Sequence, residues 1–140
     1  MKVVVSQHVA SAHSVVQQFY SDVSNLKRIS PAFPRLTINA ADTCVVAGRT
    51  FQLSLDFLLF KFEWLSKIDT VVEGEYFVDI FQGSIFKQWH HTHRYKSSGI
   101  GTLLTDEIEY VPVAWFAPFA YLAVRLLFVF RKQAIAKVLG

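Results

Sequence analysis

The chain has 140 residues, of which 52% are hydrophobic and 18% are charged. This composition excludes a disordered protein, and the length suits one globular domain over residues 1–140 that forms a core without metals or disulfides. The single cysteine, Cys44, excludes an internal disulfide and a cysteine-based zinc site, and it fits a reducing, cytoplasmic setting. The excess of 14 basic over 11 acidic residues is too mild to indicate nucleic-acid binding.

The first forty residues predict a strand followed by short helices. Met1 to Ala10 has too short an apolar run for a secretory signal and is typical of a strand. Ser11 is placed to cap a helix after it. The apolar residues of that helix recur at helical spacing: Val15, Val16, Phe19 and Val23. Leu26 to Ser30 adds one short helical turn before Pro31, which disfavours helix.

The middle of the chain predicts an antiparallel meander. Alternating polarity indicates strands over residues 50–56, 61–72, 76–82, 86–95 and 102–111. Turn signals separate them at Ala47-Gly48, Glu73-Gly74-Glu75, Gln82-Gly83-Ser84 and Ser97-Ser98-Gly99. No such signal lies between Gln52 and Trp64, but strands rarely exceed about ten residues. We therefore expect a turn at Asp56 to Leu59, with Phe57, Leu58, Leu59 and Phe60 at an apolar hairpin tip.

The C-terminal residues, from about Trp115 to Leu139, predict a long helix. Its predicted core face consists of Phe116, Ala120, Ala123, Leu127, Phe130, Ala134 and Val138. Its predicted outer face carries Tyr121, Leu122, Phe128 and Val129 beside the basic Arg125, Arg131 and Lys132. A membrane span over Val113–Phe130 is disfavoured, since a buried Arg125 would cost about 2.5–3.5 kcal/mol. The apolar outer face favours a homodimer over docking on a membrane surface.

Polar residues on two neighbouring predicted strands indicate a site. Residues two apart on a strand share a face, so Trp89, His91 and His93 point together, as do Asp106 and Tyr110. If Tyr95 lies opposite Thr102, His91 lies opposite Asp106. An imidazole beside a buried carboxylate is either a structural contact, an anchor for a ligand or a general base.

Other chemistry has weaker support in the sequence. His91, His93 and Asp106 are ligand types for zinc or iron, but two histidines at this spacing are common by chance, and we predict no metal and no cofactor. The sequence has no G-x-S-x-G motif and no glycine-rich phosphate loop. Nucleic acid is not an expected partner, because the aromatic residues near Arg94 point to the opposite face of the strand.

Two strand motifs carry a resemblance to a known family. The first motif is Phe86-Lys87-Gln88-Trp89-His90-His91-Thr92-His93-Arg94-Tyr95. The second is Gly101-Thr102-Leu103-Leu104-Thr105-Asp106-Glu107-Ile108-Glu109-Tyr110. Trp64 and Phe77-Val78-Asp79 precede both motifs in the chain. This sequence resembles the SRPBCC superfamily, which includes START lipid-transfer domains, birch-pollen-allergen-like proteins and polyketide cyclases. A departure is Ser84-Ile85, where the pattern commonly has Gly-Pro.

The resemblance implies an α+β helix-grip fold. In this fold a curved antiparallel sheet of about six to seven strands wraps around a long C-terminal helix, with one or two short helices after the first strand. The implied function is binding of a hydrophobic or aromatic small molecule or a lipid in a cavity between sheet and helix. The predicted ligand-binding residues are Trp64, Phe77, Trp89, His91, His93, Asp106, Tyr110 and Phe116. The alternatives are a cyclase or aromatase that uses His91 and Asp106, and a lipid carrier at a membrane surface.

Overall fold

One antiparallel sheet carries most of the chain in the computed structural model, which describes residues 1–83 and 85–140. Its strands are β1 (Lys2–Val9), β2 (Arg35–Asn39), β3 (Thr50–Phe57), β4 (Phe60–Val72), β5 (Tyr76–Gly83), β6 (Phe86–Ser98) and β7 (Gly101–Pro112). Between β1 and β2 lie helix α1 (His13–Tyr20) and a 3₁₀ helix (Val23–Ile29), and the chain ends in helix α2 (Ala117–Leu139).

The strands follow the order β1-β7-β6-β5-β4-β3-β2. Strands β2 to β7 form a meander, and β1 pairs with β7 at one edge. Residues from β2 through β7 line one cavity, so the sheet curves around it. Irregular pairing between β4 and β5, and on both sides of β6, is typical of the bulges that bend strands. The predicted helix-grip fold is confirmed.

The residues before α1 hold the end of α2. Ala10 N donates a hydrogen bond to Gly140 O at 3.0 Å, and Ser11 N donates one to Leu139 O at 3.1 Å. The Ser11 hydroxyl donates to the same Leu139 carbonyl. The expectation that Ser11 caps α1 is wrong, because its side chain satisfies a carbonyl at the end of the other helix. The last turn of α2 is therefore fixed beside β1.

The apolar turn between β3 and β4 lies where the sequence predicts it. β3 ends at Phe57 and β4 begins at Phe60, so Leu58 and Leu59 form a two-residue turn. Their side chains are 92% and 95% exposed. By contrast, Ser84, which belongs to the predicted turn after β5 and to the departure from the family pattern, lies outside the described residues.

The hairpin between β6 and β7 is tighter than predicted. Ser98 pairs with Gly101 around a two-residue turn, in which Gly99 adopts a left-handed conformation with φ of 60°. The expected pairing of His91 with Asp106 is wrong by two residues, since His93 lies opposite Asp106 and His91 opposite Ile108. A shift of two residues leaves every side chain on its predicted face, because the side-chain period of a strand is two.

The predicted core face of α2 is largely confirmed: Ala120 is buried, Ala123 and Leu127 line the cavity, and Ala134 and Val138 pack against a core cluster. The most buried residues of the helix are Ala120, Val124, Phe128, Ile135 and Leu139. Phe130, predicted in the core, is 40% exposed, whereas Phe128, predicted outside, is 1% exposed. The prediction placed Arg131 outside, but Arg131 lines the cavity. Within the described residues, no helix is long and apolar enough to span a membrane.

Candidate functional site

A cavity of about 520 Å³ lies between the sheet, the short helices and α2. Its lining is mainly apolar and includes aromatic side chains from α1, from β3 to β6 and from the segment before α2. Seven of the predicted ligand-binding residues line it: Trp64, Phe77, Trp89, His91, His93, Asp106 and Phe116. Tyr110 is not in the lining; it is buried beneath, with its ring 5.7 Å from that of Phe86 and 6.2 Å from that of Trp89.

An aromatic group forms one wall of the cavity. Phe81 stacks on Trp89 with ring centroids 5.2 Å apart, and Trp64 lies 5.7 Å from Phe81 on the other side. Phe86 packs against Trp89 at 4.9 Å and contacts Phe116 at 5.9 Å. These residues come from β4, β5, β6 and the segment before α2, so this wall exists only after the sheet and the helix have packed. The result is a broad apolar surface.

Two histidines and two aspartates form a compact cluster in another part of the cavity lining. His91 Nε2 lies 2.7 Å from Asp106 Oδ1, and His93 Nε2 lies 2.5 Å from Asp79 Oδ2. The second nitrogen of each ring faces the other carboxylate, at 3.7 Å for His91 and 3.6 Å for His93. The imidazole rings are 3.6 Å apart. Each carboxylate is thus placed between two imidazoles, and the cluster spans β5, β6 and β7.

The hydrogen bonds keep both carboxylates charged. Burial by itself would raise the pKa values of Asp79 and Asp106, but the hydrogen bonds from His93 and His91 and the nearby positive charges outweigh burial and lower both values. Burial and the neighbouring His93 lower the pKa of His91, against the opposing effect of Asp106 and Asp79. At neutral pH the cluster therefore holds two carboxylates and a neutral His91.

Asp79 belongs to this cluster, although the sequence analysis did not select it. On β5 it lies two residues after Phe77 and two before Phe81, both of which line the cavity. The alternation rule that selected the β6 and β7 residues therefore places Asp79 on the cavity face as well. The sequence did not indicate how β5 pairs with β6. In the structure, this pairing places Asp79 opposite His91.

Arg131 is also a cavity residue, although the sequence pattern predicts it on the outer face of α2. It lines the cavity from α2, and its guanidinium carbon lies 5.0 Å from the ring centre of Phe128. Burial lowers the pKa of Arg131, while the charges of Asp106 and Asp79 oppose that change. Among the described residues, Arg131 Nε is shielded from solvent and has no hydrogen-bond partner. A spacing of three or four residues from Phe128 and Ile135 was the available signal in the sequence.

Three residues of the cluster have the donor types of a metal site. Asp79, His91 and His93 offer ligand atoms that all lie within 4.8 Å of one another. Two imidazoles and a carboxylate are typical ligands for zinc or non-haem iron. In the present arrangement, one nitrogen of each imidazole is hydrogen-bonded to a carboxylate. A metal would have to replace these bonds and would bring further positive charge near Arg131.

Comparisons with known proteins place the fold. No family model matches the chain, and the search of curated proteins finds no relative. Among solved structures, Ms6760 from Mycobacterium smegmatis is 17% identical, with a TM-score of 0.74 over 99% of this chain and 90% of that one. The major latex-like protein 151 from Panax ginseng is 13% identical, with a TM-score of 0.70 over 99% and 97%. Ara h 8.0201 is 10% identical, with a TM-score of 0.66 over 96% and 97%. The chain therefore shares its helix-grip fold with these solved structures.

Proposed function

We propose that residues 1–140 form one domain that binds a hydrophobic or aromatic small molecule or a lipid chain. The observation that carries this proposal is the cavity of about 520 Å³, which joins a broad aromatic wall to a small group of buried polar side chains. Small-molecule sites typically measure about 300–1,000 Å³ and have this combination of apolar lining and few polar groups. Trp64, Trp89 and Phe116 would contact the apolar part of the ligand.

Two hydrophobic core clusters hold the helices on the sheet around the cavity. One core cluster joins α1 and the end of α2 to the sheet through Val9, Val16, Ile135 and Leu139. Another joins β1, β6 and β7 to the middle of α2 through Ile108, Val124 and Phe128. These clusters hold both helices on the sheet, and Phe86 and Trp89 of the aromatic wall belong to the second cluster, so one side of that wall is fixed by the core.

Binding fits the polar cluster better than the cyclase or aromatase alternative. A general base needs a ring nitrogen directed at the substrate. Both nitrogens of His91 and both of His93 lie within 3.7 Å of a carboxylate oxygen. These imidazoles are therefore arranged to hydrogen-bond the buried aspartates, and the cluster acts as the polar end of a binding site.

A larger side chain inside the cavity should weaken ligand binding. Ser66 lines the cavity from β4 and is 6% exposed, while its neighbour Leu65 points to the other side and is 62% exposed. We expect Ser66→Phe to weaken binding of the fluorescent dye Nile red at least tenfold, because the added ring occupies ligand space. Leu65→Phe should bind as the wild type does, in the same fluorescence titration.

Native mass spectrometry of the purified protein, followed by organic extraction, identifies a retained ligand. Displacement of Nile red by fatty acids or polycyclic aromatic compounds then assigns the ligand class. If Nile red shows no saturable binding, or if Ser66→Phe and Leu65→Phe bind it equally, the cavity is not a binding site.

We also propose that a second copy of the chain covers the outer face of α2. Phe119, Leu122, Leu126 and Val129 follow one another at intervals of three, four and three residues, and each is more than half exposed. This heptad-like spacing produces a narrow apolar seam, which is typical of a helix that pairs with another helix. A helix that lies on a bilayer has a broader apolar face.

The pairing of α2 predicts a dimer in solution. In analytical ultracentrifugation at micromolar concentration we expect the wild type to sediment as a dimer and Leu122→Glu/Leu126→Glu as a monomer, because buried glutamates would disrupt the seam. The matched variant Leu58→Glu/Leu59→Glu, at the β3–β4 turn, should remain a dimer. A monomeric wild type would contradict the proposal, and flotation of that monomer with phosphatidylserine vesicles would assign the face to a membrane.

A further inference from the structure

We propose that the ligand of this cavity carries an uncharged carbonyl group, whose oxygen accepts hydrogen bonds from Arg131. This inference rests on the proposed binding function and specifies its ligand class: aromatic or polycyclic ketones, quinones and similar compounds. Three observations support it: a buried N–H donor of Arg131 that has no acceptor among the described residues, the charges around this donor, and the aromatic wall of the cavity.

Arg131 is the donor that lacks a partner. A guanidinium has five N–H groups and no acceptor atom. Its Nε is fully shielded from solvent and has no hydrogen-bond partner among the described residues. The nearby carboxylates of Asp79 and Asp106 accept hydrogen bonds from His93 and His91. Buried donors are seldom left unsatisfied, because the loss of hydration is then not compensated. Because the Arg131 side chain also lines the cavity, a bound ligand can bring an acceptor to its guanidinium.

Tyr20 supplies another donor in the cavity lining. It lines the cavity from α1, and its ring is held between Phe77, His93 and Tyr95 at centroid distances of 5.6–6.0 Å. Burial and the charge of Asp106 raise the pKa of Tyr20 well above its ordinary value, so its hydroxyl keeps the proton.

The charges of the site favour an uncharged acceptor. Asp79 and Asp106 contribute two negative charges and Arg131 one positive charge, while His91 is neutral. These four groups therefore carry a net charge of minus one. A ligand carboxylate would add a third buried negative charge beside the aspartates, which is unfavourable. A carbonyl oxygen satisfies the donors without adding charge.

Three naphthalene compounds of similar shape test this inference by displacement of Nile red at pH 7.5. 2-Acetylnaphthalene presents a carbonyl, 2-isopropylnaphthalene is its hydrocarbon analogue, and 2-naphthoate is the anion. We expect the ketone to bind roughly tenfold more tightly than the hydrocarbon, since one hydrogen bond to a charged donor accounts for such a factor. The anion should bind more weakly than the ketone.

Variants assign the preference to its donors. In Arg131→Met the ketone and the hydrocarbon should bind within twofold of each other, while Lys132→Met, an exposed neighbour, keeps the tenfold preference. Tyr20→Phe, which retains the ring, should reduce the preference two- to fivefold and provides a second test if Arg131→Met does not fold. Equal binding of ketone and hydrocarbon to the wild type overturns this inference alone, as does tighter binding of naphthoate. If none of the three compounds displaces Nile red, the inference is wrong. The binding function is tested separately, by the Nile red titration of the wild type and of Ser66→Phe.

Discussion

Asp106→Ala is expected to lower the free energy of unfolding by about 3–5 kcal/mol, because it removes one charge of a buried cluster and leaves His91 without its hydrogen-bond acceptor. The Asp106 side chain is 10% exposed and accepts the hydrogen bond of His91 at 2.7 Å. Its charge also helps to balance Arg131. Without it, the His91 N–H group loses its acceptor and the guanidinium loses part of its counter-charge. Urea denaturation followed by circular dichroism measures the change.

Glu107→Ala is the matched control for this experiment. Glu107 is the next residue on β7, faces the other side of the sheet and forms a surface ion pair with Arg94 at 3.7 Å. Exposed pairs of this kind contribute about 0–1 kcal/mol, so the control should lose no more than that. A loss for Asp106→Ala as small as that for Glu107→Ala would mean that the buried cluster does not stabilise the fold.

Phe128→Ala is expected to lower the free energy of unfolding by about 3–5 kcal/mol, the usual cost of deleting a buried aromatic side chain. Phe128 is 1% exposed, and its ring lies edge-on to His91 at a centroid distance of 5.2 Å. The ring also lies beneath the guanidinium of Arg131. Its removal would open a cavity where α2 packs on the polar cluster. The same urea experiment provides the measurement.

Phe130→Ala distinguishes the two possible rotations of α2. Phe130 is 40% exposed, and its truncation should cost less than about 1 kcal/mol. The sequence pattern alone predicts the opposite order, with Phe130 in the core and Phe128 outside. A larger loss for Phe130→Ala than for Phe128→Ala would therefore show that the sequence-based rotation is correct and that the packing of α2 described above is not.

The sequence alone was sufficient to predict the strand order of the meander and the faces of its residues. Alternation along β6 and β7 placed Trp89, His91, His93 and Asp106 on the cavity side. This result did not depend on the register, because the two-residue error in the hairpin preserved each face. The turn at Leu58 and Leu59 was likewise predictable, since a strand long enough to replace it would be exceptional.

Only the tertiary structure decided which polar groups meet. The register of β5 against β6 brings Asp79 beside His91 and His93, and no local pattern determines that pairing. The inward position of Arg131 is a second such case, because hydrophobicity alone predicts this residue on the solvent side, whereas it lines the cavity. In the folded protein, two carboxylates from β5 and β7 compensate the burial of its charge. That compensation comes from strands far away in the sequence, so the inward orientation of Arg131 was decided by the packed sheet and helix together.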